Sequence, residues 1–337
     1  MLHAQELPNR LSEDWRQRGF TIVELLVSIG VCTLLLALLL PAVQRARETA
    51  RRMECVSRLG QLGKALHGYE SAYKALPPCC VGDPSSASAH LHILPWLDQA
   101  ALYQRLERHR SEHLSNRCLS FDCGATDGEN EIGVFQCPSD LGTGANNFVC
   151  NVGAEVAVWG PRTALAPEIL GAFRMFNGPS RLADVTDGLS NTAAMSERLT
   201  GGGDINEFNV IRDTWFSGLE VVVGDCTREQ MIEACRGAMP TSGFTAFDLG
   251  TWKHSGFEFT WYNHALTPNS PIPNCSTNMA FPQSTTARGL FPARSLHPGG
   301  VNVLLLDGSV RFVSDSIDTD VWRSAGLAAD GMSMSWQ

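Results

Sequence analysis

The residue with the clearest chemical signal is Glu24, a carboxylate inside the apolar run of residues 21–40. The other polar residues of this run are Thr21, Ser28 and Thr33. As a helix with a rise of about 1.5 Å per residue, the run spans the roughly 30 Å hydrocarbon core of a bilayer. An ionisable group at that depth is costly and needs a partner. Cleavage after Gly19 would create one, because it leaves a free amine on Phe20.

This arrangement resembles the type IV prepilin N-terminal signal: a polar leader ending in Gly19, then Phe20, then an acidic residue at the fifth mature position. In that family a prepilin peptidase cuts on the cytoplasmic side after the glycine and methylates the new amine. The resemblance implies a leader of residues 1–19 and a transmembrane half of residues 20–40. It also implies that Glu24 neutralises the Phe20 amine of a neighbouring subunit in a filament, in surroundings of low dielectric that strengthen the pair.

Two other interpretations of the apolar run remain open. One is an ordinary signal anchor with a stray glutamate. A cleavable secretory signal fits less well, because the run is long and no small-residue cleavage site follows it before Pro41.

Two features of the sequence predict opposite orientations of the anchor in the membrane. Arg45, Arg47, Arg51 and Arg52 follow the span, and a positive-inside count alone would place that side in the cytoplasm. The prepilin resemblance implies the reverse, and the ten cysteines beyond Cys32 are an even number that suits an oxidising compartment. We therefore expect a single-pass protein of the cytoplasmic (inner) membrane, with its C-terminal head in the periplasm or on the cell surface. The arginines are then expected to meet membrane lipid.

Length and charge restrict the remaining classes. A chain of 337 residues is long enough for one large or two modest domains with a hydrophobic core. The formal net charge of −9 argues against a nucleic-acid partner, which needs clustered Lys and Arg.

Helical periodicity continues beyond the anchor and predicts an amphipathic helix over residues 41–76. Its apolar stripe is Leu59, Leu62, Leu66, Tyr69, Tyr73 and Leu76. The helix should end before Pro77-Pro78 and can kink near Pro41. The predicted fold class is α+β and pilin-like: a long N-terminal helix packed on a mainly antiparallel β head, residues 77–337, with short helices.

Within the head, two elements are predicted in detail. A helix is expected between Leu91 and Leu106. A β-hairpin is expected from Val301–Leu306 and Ser309–Val313, joined by Asp307-Gly308 as a two-residue turn in which both positions need positive φ.

The hairpin also carries a second resemblance, to proteins with the domain of unknown function DUF1559. His297 precedes Asp307-Gly308 by nine intervening residues, which is similar to the family's H-X9-DG signature. Other similar blocks occur in order: residues 55–67, 76–78, 94–99, 135–140 and 184–191. The family's Asn-Asn-Leu is replaced by Ser57-Arg58-Leu59, and its later Glu appears as Glu197. Residues 200–283 match no family block and are interpreted as a variable insertion. The resemblance implies a fold and an assembly context, without an established activity.

The sequence supports catalytic or metal-binding roles of the polar residues in the head less well than structural roles. His297, Asp307 and Asp187 lack a nucleophile elbow, so we expect no enzyme and assign them structural duties, with His297 tying a loop to a backbone carbonyl. Two acidic loops could bind calcium, but Asx turns and helix caps explain them more simply. They are Asp184, Asp187 and Asn191, and Asp315, Asp318 and Asp320. Since no zinc template occurs, we expect no metal and no cofactor.

The cysteines are expected to form local disulfides, with the connectivity left open. The closest candidates are Cys118 with Cys123, Cys137 with Cys150, and Cys226 with Cys235. The adjacent Cys79 and Cys80 are unsuited to bond with each other because of ring strain.

The sequence thus predicts a pilin-like or pseudopilin-like structural subunit of a surface or secretion apparatus. Its expected partners are prepilin peptidase, like subunits and lipid. The alternative is a membrane-tethered protein that captures a solute or glycan and never polymerises. Such a protein could use a groove lined by aromatic residues; the candidates are Trp159, Trp215, Trp252, Trp261 and Tyr262.

Overall fold

The fold is that of a computed structural model, which describes residues 21–79, 87–113, 131–140, 142, 144–155, 171–174, 179–201, 209–216, 227–237, 251–257, 259–276 and 289–332. Its contacts divide the chain into two units, Met1–Arg47 and Glu48–Gln337. The leader, Gly19 and Phe20 lie outside the described residues.

Helix α1, Ile22–Tyr73, contains 52 residues and confirms the predicted long N-terminal helix. It continues through Pro41. It ends where Lys74 adopts a left-handed φ of 59°, three residues before Pro77. Among the described residues, α1 is the single helix that is long and apolar enough to cross a membrane. Its apolar side chains within the first unit, from Ile22 to Leu40, are exposed.

In the second unit, α1 buries the face that the apolar stripe predicts. The residues of α1 that are buried there are Cys55, Leu59, Leu62, Gly63, Ala65 and Leu66. Cys55, Leu59, Leu62 and Leu66 recur at intervals of four, three and four, and Gly63 and Ala65 are next to them, so the set lies on one side of the helix. Tyr73, at the end of the stripe, is exposed.

The strands of the head are β1 Phe148–Asn151, β2 Ala193–Glu197, β3 Thr214–Phe216, β4 Trp261–Tyr262, β5 Asn274–Ser276, β6 Gly289–Leu290, β7 Gly300–Leu305 and β8 Val310–Ser314. Five of them form the central sheet in the order β4-β1-β2-β7-β8. Its pairs are antiparallel except β1 with β4, which is parallel. The other three form a second sheet in the order β3-β5-β6.

The stretch interpreted as a variable insertion contributes to both sheets. It contains β3, β4 and β5 and also the helix α4, Arg228–Arg236, which begins with a capping box at Thr227. Because β4 pairs with β1, part of this stretch belongs to the central sheet.

The tryptophans of this stretch that the structure describes lie in the core. Trp252 and Trp261 are fully buried, and so is Tyr262. The hypothesis that these three line an open groove is therefore wrong. Trp159 and the side chain of Trp215 lie outside the described residues.

The helix predicted between Leu91 and Leu106 is interrupted. Helix α2, Ala89–Ile93, leads into a 3-10 turn, Leu94–Leu97, and α3 follows at Ala100–His113. Asp98 separates the two parts with a φ of 59°. Pro95 lacks a backbone N–H, which favours this break.

The predicted hairpin of β7 and β8 is confirmed, but its turn differs. Leu304 pairs with Val310, and Leu305 N donates to Ser309 O at 2.8 Å. The loop therefore has three residues, of which Gly308 has a φ of 87° and Asp307 has no positive φ. This matches a turn followed by a left-handed glycine, rather than the two-residue turn.

Candidate functional site

Glu24 lies at the first turn of α1 and caps the helix. Thr21 N donates to Glu24 Oε2 at 2.9 Å, and Thr21 Oγ1 donates to the same oxygen at 2.8 Å. Glu24 N donates to Thr21 Oγ1 at 3.3 Å. These reciprocal contacts form a capping box, and a carboxylate at a helix N-terminus also interacts favourably with the helix dipole. Among the described residues none donates to Glu24 Oε1, so one carboxylate oxygen remains for another donor.

The second unit contains a buried polar cluster around His297. Its Nδ1 lies 2.8 Å from Glu48 Oε1, and its Nε2 lies 3.1 Å from Glu197 Oε1. Glu48 belongs to α1, and Glu197 is the last residue of β2. Ser139 Oγ also donates to Glu48 Oε1 at 3.0 Å. His297 therefore joins the helix to the central sheet, and the expectation that it ties a loop to a backbone carbonyl is wrong.

Glu197 is itself fixed by β7. Asn302 N donates to Glu197 Oε2 at 2.7 Å, and Asn302 Nδ2 donates to Oε1 at 2.8 Å. Burial alone would lower the pKa of His297, but the hydrogen bonds and negative charges of Glu197 and then Glu48 outweigh it and raise the pKa above its usual value. A protonated ring can donate to both carboxylates at once.

The turn between β7 and β8, at Asp307 and Gly308, also contacts α1. Asp307 Oδ1 accepts hydrogen bonds from Ser309 N at 2.9 Å and from Ser309 Oγ at 2.6 Å, which fixes the turn. A Cβ placed on Gly63 would lie 3.5 Å from Gly308 Cα and 2.9 Å from Leu304 Cδ1. The turn at Gly308 therefore packs directly on the helix at Gly63, where a side chain would not fit without displacement.

The two contacts of this segment lie far apart along α1, and β7 lies between them in the sequence. Residues 48 and 63 are fifteen positions apart in α1, or about 22 Å at 1.5 Å per residue. The six residues of β7 extend for about 20 Å. Between the two ends, the guanidinium of Arg52 lies 3.5 Å from the ring centre of Phe312 on β8. The nine residues between His297 and Asp307 thus allow one hairpin to contact α1 at both points.

The disulfides differ from the predicted local pairs. Cys55 is bonded to Cys137, and Cys235 to Cys275. The pairing of Cys137 with Cys150 is wrong, because β1 places Cys150 in the core as a free thiol, and burial raises its pKa. The pairing of Cys226 with Cys235 is also wrong. Cys118, Cys123, Cys226 and Cys80 lie outside the described residues.

In each acidic loop, one carboxylate accepts hydrogen bonds from backbone N–H groups. Asp187 accepts from Asp330 N at 2.7 Å and from Gly331 N at 2.9 Å. Asp318 caps α5, Thr319–Ala325. Asp318 is therefore a helix cap, as expected, whereas Asp187 binds the backbone of a loop that is distant in sequence. His297 contacts neither Asp187 nor Asp307 through its ring nitrogens, so the described residues do not bring that catalytic set together.

Two family models match the chain. A model of the prokaryotic N-terminal methylation motif matches residues 16–40. A model described as a protein of unknown function, DUF1559, matches residues 44–320, which is most of the chain. No curated protein and no solved structure matches it. With the methylation motif in front and the family model covering the head, the chain belongs to the DUF1559 family.

Proposed function

We propose that this protein is a type IV pilin-like or pseudopilin-like structural subunit, anchored in the cytoplasmic membrane with its head in the periplasm or on the cell surface. The methylation motif at residues 16–40 marks the chain as a pilin-like substrate of prepilin peptidase. The observation that carries the proposal is the place of Glu24, five positions after the cleavage point and at the start of an exposed apolar helix.

The exposed side chains of α1 support association in two stages. From Ile22 to Leu40 the large apolar side chains are about half exposed or more, so they need an apolar environment. Lipid supplies it for a single subunit. Neighbouring α1 helices supply it in an assembly, where helix packing replaces lipid contacts.

The charge of Glu24 gives the assembly a defined register. Its Oε2 accepts two hydrogen bonds from Thr21, while Oε1 can accept a hydrogen bond from the methylated Phe20 amine of a neighbouring subunit. Such a pair interacts strongly in a medium of low dielectric. A helix shifted along its neighbour would leave both charges unpaired in lipid, which is unfavourable.

The head serves as a passive, firmly attached domain in this proposal. His297, the Cys55–Cys137 bond and the hairpin turn contact α1 from the head, and none of these contacts requires a substrate. The protein acts by association and catalyses no reaction. Because Trp252 and Trp261 are buried, the described core offers no support for the alternative of glycan capture.

The experiment compares Glu24→Ala and Glu24→Gln with Glu54→Gln, a matched control at an exposed position of the same helix. The complete chain is expressed, and the protein is isolated from membranes. Mass spectrometry should then find an N-methylated Phe20 as its first residue. Crosslinking of two differently tagged copies in membranes should fall at least tenfold for both Glu24 variants and remain at the wild-type level for Glu54→Gln. An unprocessed leader, or wild-type crosslinking of Glu24→Ala, would contradict the proposal.

A further inference from the structure

The cluster around His297 also contains the Cys55–Cys137 disulfide. The sulfur atoms of Cys55 and Cys137, a ring nitrogen of His297 and a carboxylate oxygen of Glu197 all lie within 4.8 Å of one another. All four residues are buried in the second unit. Sulfur, imidazole and carboxylate are the ligand types that zinc uses in proteins.

We propose that reduction of this disulfide creates a binding site for one Zn²⁺ ion, with Cys55, Cys137, His297 and Glu197 as ligands. A dithiol reductant supplies two electrons and two protons, becomes a disulfide itself, and leaves two thiols. Each thiol releases its proton when its sulfur binds the ion. The disulfide and the metal are alternative ways to join α1 to the segment before β1.

Reduction frees the two sulfur atoms to separate, and the other distances are already close to those of a tetrahedral site. Cys137 Sγ lies 3.6 Å from His297 Nε2. A zinc ion bound to sulfur at about 2.3 Å and to nitrogen at about 2.0 Å places these two ligands about 3.6 Å apart. His297 Nε2 and Glu197 Oε1 lie 3.1 Å apart, so only a small separation admits the ion.

The surrounding contacts orient the ligands correctly. Glu48 contacts His297 Nδ1, which directs Nε2 towards the sulfur atoms. Metal-binding histidines commonly have a carboxylate on the second ring nitrogen in this way. Asn302 fixes both oxygens of Glu197. The supporting groups of a zinc site are therefore in place beside the disulfide.

The test follows alkylation of individual cysteines in the full-length protein in detergent. The chain is reduced with dithiothreitol, freed of reductant without oxygen, mixed with one equivalent of Zn²⁺, and treated with iodoacetamide before peptide mass spectrometry. We expect Zn²⁺ to slow alkylation of Cys55 and Cys137 at least tenfold. Cys235 and Cys275, which form the other described disulfide, provide the internal control and should show no protection.

Variants separate this site from adventitious thiol binding. His297→Gln and Glu197→Gln keep every cysteine and should each reduce the protection of Cys55 and Cys137 at least tenfold. Glu48→Gln, which alters a group that contacts His297 Nδ1 but is not a proposed ligand, should weaken it less and serves if the other variants fail to fold. Cys235→Ser with Cys275→Ser should leave it unchanged. Equal protection of all cysteines, no protection, or full protection in these three glutamine variants would overturn the proposal.

Discussion

His297 Nδ1 and Glu48 Oε1 lie 2.8 Å apart, although 249 positions separate them in the chain. Glu48 is the first residue of the second unit and lies in α1, so this contact joins the helix to the rest of that unit. The same ring reaches Glu197 on its other side. A single side chain thus links α1, at the start of the second unit, to the middle strand of the central sheet.

Replacement of His297 should destabilise the head strongly. In His297→Ala the carboxylate of Glu197, whose side chain is 2% exposed, loses its charged partner. We expect a loss of about 3–5 kcal/mol in the free energy of unfolding, as for other broken buried pairs. Denaturant titration of the full-length protein in detergent measures it. Glu233→Gln, at an exposed position of α4, should change the value by less than about 0.5 kcal/mol; an equally small change in His297→Ala would contradict the role of the cluster.

Two glycines of α1 should respond in opposite directions. Gly63→Val places a side chain against Leu304 and the turn at Gly308, and overpacking of this kind costs about 1–3 kcal/mol. Gly60→Ala meets nothing within 4 Å and should stabilise the helix by about 0.5–1 kcal/mol. Thermal unfolding of the two variants tests the contact, and a stabilised Gly63→Val would rule it out.

The disulfide between Cys55 and Cys137 should contribute substantially to stability. It joins residues 82 positions apart, for which the chain-entropy relation gives about 4.5 kcal/mol. Cys55→Ser with Cys137→Ser should lose about that amount, while Cys32→Ser in the exposed apolar part of α1 should lose none. Peptide mapping without reduction should find Cys55 with Cys137 and Cys235 with Cys275. A peptide joining Cys137 to Cys150 would refute this connectivity.

Acid should destabilise the head through two buried histidines. Burial lowers the pKa of His90 to about 4 and that of His264 to about 3. The hydrogen bonds of His90 to Phe148 O and of His264 to Trp322 O favour the charged rings, but they offset only part of this effect. Because the unfolded chain binds protons at higher pH than the folded one, stability is complete above a pH of about 6.5 and falls as the pH falls towards 4 and below. Each pKa unit corresponds to about 1.4 kcal/mol.

His90→Gln tests this acid dependence. The amide can still donate to Phe148 O but does not titrate, so the slope of unfolding free energy against pH should decrease by up to about 1.4 kcal/mol per pH unit between 6 and 4. The wild-type protein, unfolded over the same pH range, is the reference for this slope. An unchanged slope in His90→Gln would contradict a neutral, buried His90.

Elements with a local signal were predictable from the sequence. The helical stripe ending near Pro77 predicts α1, and two apolar runs around Asp307-Gly308 predict the hairpin. The break at Asp98 was missed because helical spacing of Leu94, Leu97 and Leu102 continues through it. The three-residue turn was missed because Asp-Gly serves more than one loop length.

Partners distant in sequence were not predictable. Nothing in the spacing of His297 indicates Glu48 or Glu197, because the fold alone brings the three together. The same holds for Cys55 with Cys137, since pairing depends on distance in space rather than along the chain. The capping role of Glu24 had a local signal, Thr21 followed three residues later by an acidic residue, which the electrostatic interpretation of Glu24 overlooked.

The position of the Cys55–Cys137 bond has a mechanical consequence. It lies seven residues beyond Glu48, near the beginning of the helix segment that the head buries. Tension applied through the residues that precede Glu48 can detach the contacts of Glu48 and Arg52, but it then reaches a covalent bond. Leu59, Leu62 and Leu66 lie behind that bond and are shielded from the load. Force applied to the N-terminal half of α1 would therefore have to break this bond before it could pull the buried leucines out of the core.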